Sequence, residues 1–231
     1  MKALVTGAAS GIGHAIAERL RAEAYDVAAL DVAELDVSDP AAWSLATAGL
    51  ASLDVACLNA GVISGTSSIA DLSDEQYRRI LGVNVGGTVF GVRALLPALE
   101  AAGGKVVVTA SLAGLTTMPK DPIYAGTKHF LIGFVRSVAP ELAERGISIN
   151  AVCPGIVSTP LLGDDGRAAL EAAGFPLLAP EDVAEAVAAV LDAGGTGEAW
   201  VVQPGRAPEP YRFHGVPGPR VPGAVGVRPP I

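Results

Sequence analysis

The stretch Thr6-Gly7-Ala8-Ala9-Ser10-Gly11-Ile12-Gly13 joins a short apolar run, residues 3–6, to an amphipathic stretch that starts at Gly11. An apolar strand that turns through glycines into a helix is the opening of a β-α-β unit. The glycines leave out Cβ atoms, so a pyrophosphate can approach main-chain amides at the positive end of the helix. Glycines also end strands for steric reasons alone. The position, inside a strand–turn–helix unit, is what carries the functional reading. Gly7, Ser10, Gly11, Ile12 and Gly13 are therefore the candidate phosphate-side residues.

Further along, short β-branched runs keep alternating with longer amphipathic segments. Strands are expected at 3–6, 27–30, 55–59, 105–109, 148–153 and 200–202, and helices at 11–24, 40–48, 74–100, 123–144 and 180–191. Most of the strand runs are apolar throughout, as in a parallel sheet covered on both faces. Ser73 or Asp74 can cap the third helix, and Gln76 completes a capping box if Ser73 is the cap. One connection is short: only Asp31 to Glu34 separates the second strand from Leu35-Asp36. A parallel crossover takes about a dozen residues or a helix. The expectation is an α/β chain with a single-domain doubly wound parallel sheet over residues 1–205. The helix between its second and third strands is missing, and any third strand there is a stub.

Half of the 231 residues are hydrophobic and 17% are charged, which suits one sizeable core. A net charge of −8 argues against nucleic acid as a partner, because phosphate binding needs a basic face. Cys57 and Cys153 lie in apolar runs without metal-ligand spacing, so buried free thiols in a reducing compartment are expected, and no metal site. Met1-Lys2 leads straight into the first strand, leaving no room for a signal peptide. No stretch of about 18 apolar residues runs free of charges and glycines, so no membrane span and a cytoplasmic location are expected.

Asp31 closes the second strand about 20 residues after the glycines, where a carboxylate can accept from both adenosine ribose hydroxyls and repel a 2′-phosphate. No Lys or Arg stands at positions 8–10 or at 32 to offset that repulsion, which favours NAD over NADP. A solvated carboxylate in the next turn is the plain alternative. Tyr124 and Lys128 are four residues apart on an expected helix and leave the same face. A phenol with a pKa of about 10 is a poor base at neutral pH, but a neighbouring ammonium and an oxidised nicotinamide favour its ionised form. Ser111 follows the 105–109 strand at the carboxyl edge, where such sheets bind ligands, and could donate to a substrate oxygen. Asn84 sits in an otherwise apolar helix, where it is either a satisfied core amide or a water-holding step in a proton relay.

Taken together, the chain resembles the short-chain dehydrogenase/reductase family in its compact single-domain branch. Thr6-Gly7-x-x-x-Gly11-x-Gly13 is similar to that family's nucleotide motif, Asn59-Ala60-Gly61 to the end of its fourth-strand motif, and Pro154-Gly155 with Thr159 to its nicotinamide-side loop. Asn84, Ser111, Tyr124 and Lys128 fall in the order of its catalytic tetrad. The resemblance implies a Rossmann-like fold with NAD as cofactor. It makes Tyr124 the general acid/base, with Lys128 on the nicotinamide ribose and lowering the tyrosine pKa. Ser111 would orient the substrate oxygen, Asn84 would anchor the relay water, and Thr159 would meet the carboxamide. Asp36 and Val37 would lie near the adenine, and Val157 would belong to the loop with Thr159. Leu58 departs from the family's repeated asparagine. The shortened connection is similar to the branch of bacterial hydroxysteroid dehydrogenase/carbonyl reductases.

Val62, Leu112, Leu115, Met118, Ile156, Leu161, Leu162 and Phe175 are candidate walls for a small, largely apolar substrate, a secondary alcohol or ketone. Two rivals stand beside this reading: the same reaction with NADP, and a catalytically silent nucleotide-sensing module. His14, His129 and His214 need no catalytic role, and His129 should point away from the site. On the 123–144 helix, Phe130 and Phe134 lie about 90° round from the Lys128/Leu131/Val135 face, so two apolar sides imply a homotetramer or homodimer. Residues 206–231 form a Pro/Gly-rich tail with Arg206, Arg212, Arg220 and Arg228 against Glu209. It is expected to pack in extended form along an acidic surface of a neighbouring subunit.

Overall fold

The computed structural model describes residues 1–218 and 221; Arg220 and Arg228 of the tail lie outside the described residues. β1 (Lys2–Thr6), β2 (Asp26–Leu30), β3 (Val55–Leu58), β4 (Lys105–Thr109), β5 (Ser148–Pro154) and β6 (Ala199–Val202) pair in parallel, in the order β2-β1-β3-β4-β5-β6. Side chains alternate between the two sheet faces. Leu4, Ala56, Val106 and Val108 join Leu95, Leu99, Leu131, Val135 and Leu142 on one side. Val5, Val55, Cys57 and Val107 join Ile16, Leu20, Val183, Val187 and Val190 on the other. Those partners come from α4 (Gly87–Ala102) and α5 (Pro122–Glu144) on the first face, and from α1 (Gly11–Ala22) and α7 (Pro180–Ala193) on the second. The sheet is doubly wound, as its composition predicts.

No strand forms at Leu35-Asp36. The chain leaves β2 in a tight turn, with the Glu34 and Leu35 N–H groups donating to the Asp31 carbonyl, and enters α2 (Pro40–Ala46). The expected stub is therefore absent along with its helix, because too few residues remain to cross over and pair. β2 becomes the sheet edge, with Asp26 and Ala28 exposed and Val27, Ala29 and Leu30 half-buried against the core. Leu35, Val37 and Trp43 plug the adjoining core face instead, and the Trp43 indole N–H donates to the Val37 carbonyl at 3.0 Å.

The expected 74–100 helix is interrupted. α3 (Asp74–Ile80) starts with the Ser73/Gln76 capping box, then Leu81–Gly86 widens into a π turn before α4 resumes. This run, Asp74–Ala102, has the length and apolar composition to cross a membrane, but Val92, Leu95, Ala98 and Leu99 give its stripe to the sheet. A further short helix, α6 (Asp164–Ala172), was not expected; it buries no residue.

The tail adds an antiparallel edge, β7 (Glu209–Pro210), to β6 of its own chain, with the Tyr211 N–H donating to the Ala199 carbonyl at 2.7 Å. Phe213 lies under the Arg136 guanidinium of α5 at 3.7 Å and edge-on to Tyr211. The described part lies along its own chain and sets Phe213 against a cation, because an aromatic face attracts positive charge.

Candidate active site

Two glycines in the β1–α1 turn adopt left-handed backbone, Gly7 at φ +65° and Gly11 at φ +54°. A Cβ on Gly13 would overlap the Gly7 carbonyl oxygen, so this turn closes only without side chains. Ser10 caps α1 without using its hydroxyl, and no acid occupies the first helical turn. The positive helix end is thus left open to an anion. Thr6 Oγ accepts the N–H groups of Asn59 (3.0 Å) and Ala60 (3.1 Å), and the Asn59 amide donates to the Thr6 carbonyl at 3.1 Å. The carboxyl ends of β1 and β3 are laced side by side in this way. Ile12 packs half-buried beneath them.

Asp31 ends β2 facing the turn. Its carboxylate accepts the Ala9 N–H at 2.9 Å and the Val32 N–H at 2.8 Å, and Glu34 accepts the Asp31 N–H at 3.0 Å. Glu34, which motif reading passed over, adds a second carboxylate at this end; only the tight turn brings it there. Asp36 stays exposed, tying Ser38 through its N–H and hydroxyl, while the Val37 side chain is buried.

The catalytic candidates converge at the carboxyl end of β4. The buried Lys128 ammonium donates to the Thr109 carbonyl at 2.8 Å and lies 5.4 Å from the Tyr124 ring centre. Burial pushes Lys128 down to about 8, with Cys153 opposing weakly. Burial also pushes the Tyr124 phenol up; the Ser111 hydroxyl pulls it back and the Asp121 carboxylate raises it further. Ser111 caps the short turn Leu112–Gly114 by accepting the Ala113 N–H at 3.1 Å. Gly61 sits where an added Cβ would be 3.5 Å from both Lys128 Nζ and Asn84 Oδ1, so the Asn59-Ala60-Gly61 loop borders the tetrad.

Asn84 is satisfied on all sides. It accepts the Val62 N–H at 2.8 Å and donates to the Val62 carbonyl (2.9 Å) and to Thr127 Oγ (3.0 Å). Its side chain holds the loop, not a free water site; its main-chain carbonyl in the π turn, which accepts the Thr88 hydroxyl at 3.3 Å, has only its second lone pair left to offer. Across the cleft, Thr159 brings its methyl group against Gly11, and Gly155 leaves room for the Gln203 amide. Pro154 ends β5, and Val157 bridges to Leu178. Leu58 turns into the core beside α4. His129 is exposed on α5 and contacts the Ala125 carbonyl, away from the tetrad. Of the wall candidates, Ile156, Leu161 and Phe175 stand exposed, while Val62, Leu112, Leu115, Met118 and Leu162 are half-buried.

Asp121 and Thr127 escaped the sequence reading. Asp121 caps α5 ahead of Pro122, and an Asp-Pro pair at a helix start was a legible signal. Thr127 carried none, since its role depends on α5 meeting the π turn.

The short chain dehydrogenase pattern matches residues 30–169, which include all four tetrad positions. A cyclohexanol dehydrogenase of Acinetobacter sp. (strain SE19) is 36% identical over 169 residues, 70% of this chain and 67% of that one. An NAD-dependent oxidoreductase of Mycobacterium tuberculosis (strain CDC 1551 / Oshkosh), itself uncharacterised, is 41% identical over 112 residues; the match spans 48% of this chain and 40% of that relative. A 3-ketoacyl-(acyl-carrier-protein) reductase from Brucella melitensis, solved with NADH, superposes with a TM-score of 0.78 at 27% identity, covering 89% of this chain and 97% of its own. With more than half the chain inside the family pattern and the glycine turn and tetrad on one sheet edge, this chain belongs to the short-chain dehydrogenase family.

Proposed function

We propose that the chain moves a hydride between NAD(H) and a secondary alcohol or ketone of largely apolar character. The observation that carries this reading is the meeting of Tyr124, Lys128 and Ser111 at one strand end, facing an open glycine turn. The residues fit a nicotinamide dinucleotide. The side-chain-free turn and helix end suit the pyrophosphate, and the Asp31 carboxylate suits the adenosine ribose and disfavours a 2′-phosphate. Asp36 and Val37 would border the adenine; Asn59, Ala60, Pro154, Gly155, Val157 and Thr159 would border the nicotinamide side. When bound, that cofactor accepts or supplies the hydride. In alcohol oxidation the ionised Tyr124 takes the hydroxyl proton while Ser111 donates to the same oxygen and holds it in place. Lys128 stabilises the phenolate and binds the nicotinamide ribose, and the Asn84 carbonyl anchors a relay water. In ketone reduction the proton returns from Tyr124.

Exposed Ile156, Leu161 and Phe175 favour an apolar substrate, so cyclohexanol, the alcohol in one relative's name, is the first probe. The two buried unpaired thiols suit a reducing, cytoplasmic setting. The deciding experiment is Tyr124→Phe, which removes the titrating hydroxyl and keeps the ring. Turnover of cyclohexanol with NAD should fall roughly 10²- to 10⁴-fold while NADH binding, followed by fluorescence, stays as in the wild type. Activity within tenfold of wild type sinks the acid/base assignment. A protein that binds NADH and oxidises no alcohol would point to the sensing module.

A further inference from the structure

Asp121 takes no part in the chemistry above, yet it is buried at 6% exposure. As the cap of α5 it accepts the Tyr124 N–H on Oδ1 at 2.9 Å. Its other oxygen, Oδ2, accepts the Ser64 N–H at 2.9 Å, from the loop that follows β3. That loop is held a second time. Asn84 grips both main-chain groups of Val62 and passes on to Thr127, whose hydroxyl donates to the Tyr124 carbonyl at 2.7 Å. The Tyr124 peptide is thus bonded at its N–H through Asp121 and at its C=O through Thr127. Both routes end on the 62–64 loop.

We propose that Asp121 is a positioning residue whose two carboxylate oxygens lock the Tyr124 end of α5 to the 62–64 loop, so that the acid/base and the adjoining wall of the site keep one spacing. The proposal rests on reading Tyr124 as the acid/base. A cap alone would be served equally by Ser, Thr or Asn at the helix start. Burying a carboxylate has a desolvation cost that a cap does not require. What only the carboxylate supplies is a second acceptor oxygen; an asparagine would turn an N–H₂ donor toward the Ser64 N–H. The charge acts too. Tyr124 is faced by Lys128 on its own helix, by the Ser111 hydroxyl from the turn after β4, and by Asp121, with Cys153 on β5 behind Lys128. Among these Asp121 raises the phenol, so neutralising it lowers the pH at which Tyr124 ionises.

The test uses the full chain with Asp121→Asn, and Asp121→Ser should the first fold poorly; both keep a cap oxygen and drop the second arm and the charge. Three readouts are expected to move together. Amide exchange across 62–66 should quicken about tenfold, the scale of one hydrogen bond to a charged group. The Tyr124 phenol, taken as the ultraviolet difference from the same variant carrying Tyr124→Phe, should titrate at lower pH. The kcat/KM for cyclohexanol should drop about tenfold, as a displaced base requires, with its acid limb shifted the same way. Any one of the three left at its wild-type value overturns the proposal. If the wild type itself does not oxidise cyclohexanol, or Tyr124→Phe stays active, the functional reading fails instead; exchange and titration still report on Asp121.

Discussion

Enclosed by the Thr109 carbonyl, Cys153 and the Tyr124 ring, the Lys128 ammonium is pushed down to about 8 because it has lost its water. An unfolded lysine titrates at about 10.4. Between those values the unfolded chain binds more protons than the folded one, so the cost of burying Lys128 is fully present below pH 8 and fades as pH rises toward about 10.4. Lys128→Met should therefore melt above the wild type at pH 7, by an amount on the order of 3 kcal/mol at most. The gap should close through that window in melts taken across pH, while turnover is lost. Cys57, pushed up to about 12 by burial alone, cancels from the comparison, whereas Cys153, also pushed up to about 12, is pulled down by Lys128 and moves further up in the variant. A difference that is independent of pH would mean the lysine is not buried as a charge. At the other end of the cleft, Asp31→Ala removes a carboxylate that also holds the Ala9 N–H. NAD preference over NADP, measured as the ratio of kcat/KM values, should shrink tenfold or more, the scale of one charge-assisted bond of about 1.5–3 kcal/mol. Unchanged selectivity would put Asp31 away from the ribose.

Single elements owe their form to a few side chains. The π turn at Leu81–Gly86 exists where Asn84 reaches across to Val62 and Thr127, and such turns often occur at functional sites. β7 exists because Pro210 needs no N–H on a sheet edge, while the Tyr211 N–H and the Phe213 ring make the bonds that hold the segment down. A chain ending at Gly205 loses both and uncovers Arg136. It should melt several degrees lower, since 1 kcal/mol corresponds to about 2–4 °C in a domain of this size. An unmoved melting temperature would make the tail an ornament.

For the whole molecule, α5 is the element with two apolar sides. Leu131, Val135 and Leu142 are buried against the sheet, while Phe130 remains 43% exposed and stacks on Phe134 at 6.0 Å. We expect a second copy to cover that face, giving a homodimer or homotetramer. Light scattering at micromolar concentration should report a multiple of the 23.2 kDa chain, and Phe130→Glu should shift it toward the monomer. A wild-type monomer would sink the expectation.

Local rules were sufficient for what depends on neighbours in the chain. The glycine turn, the apolar strands, the Ser73 capping box and the Tyr124–Lys128 spacing are set by sterics, periodicity and helix pitch within a few residues. They were legible for that reason. Long-range closure decided the rest. The stub after β2 failed because too few residues remained to cross over and pair with the open β2 edge, and Trp43 filled the space. Glu34 joined Asp31 through a turn that only the missing crossover creates. Whether Asn84 holds water or loop, and whether Lys128 or Asp121 dominates the phenol, depends on burial and on which groups from distant segments meet. A linear chain does not specify that until the sheet has formed and water has left.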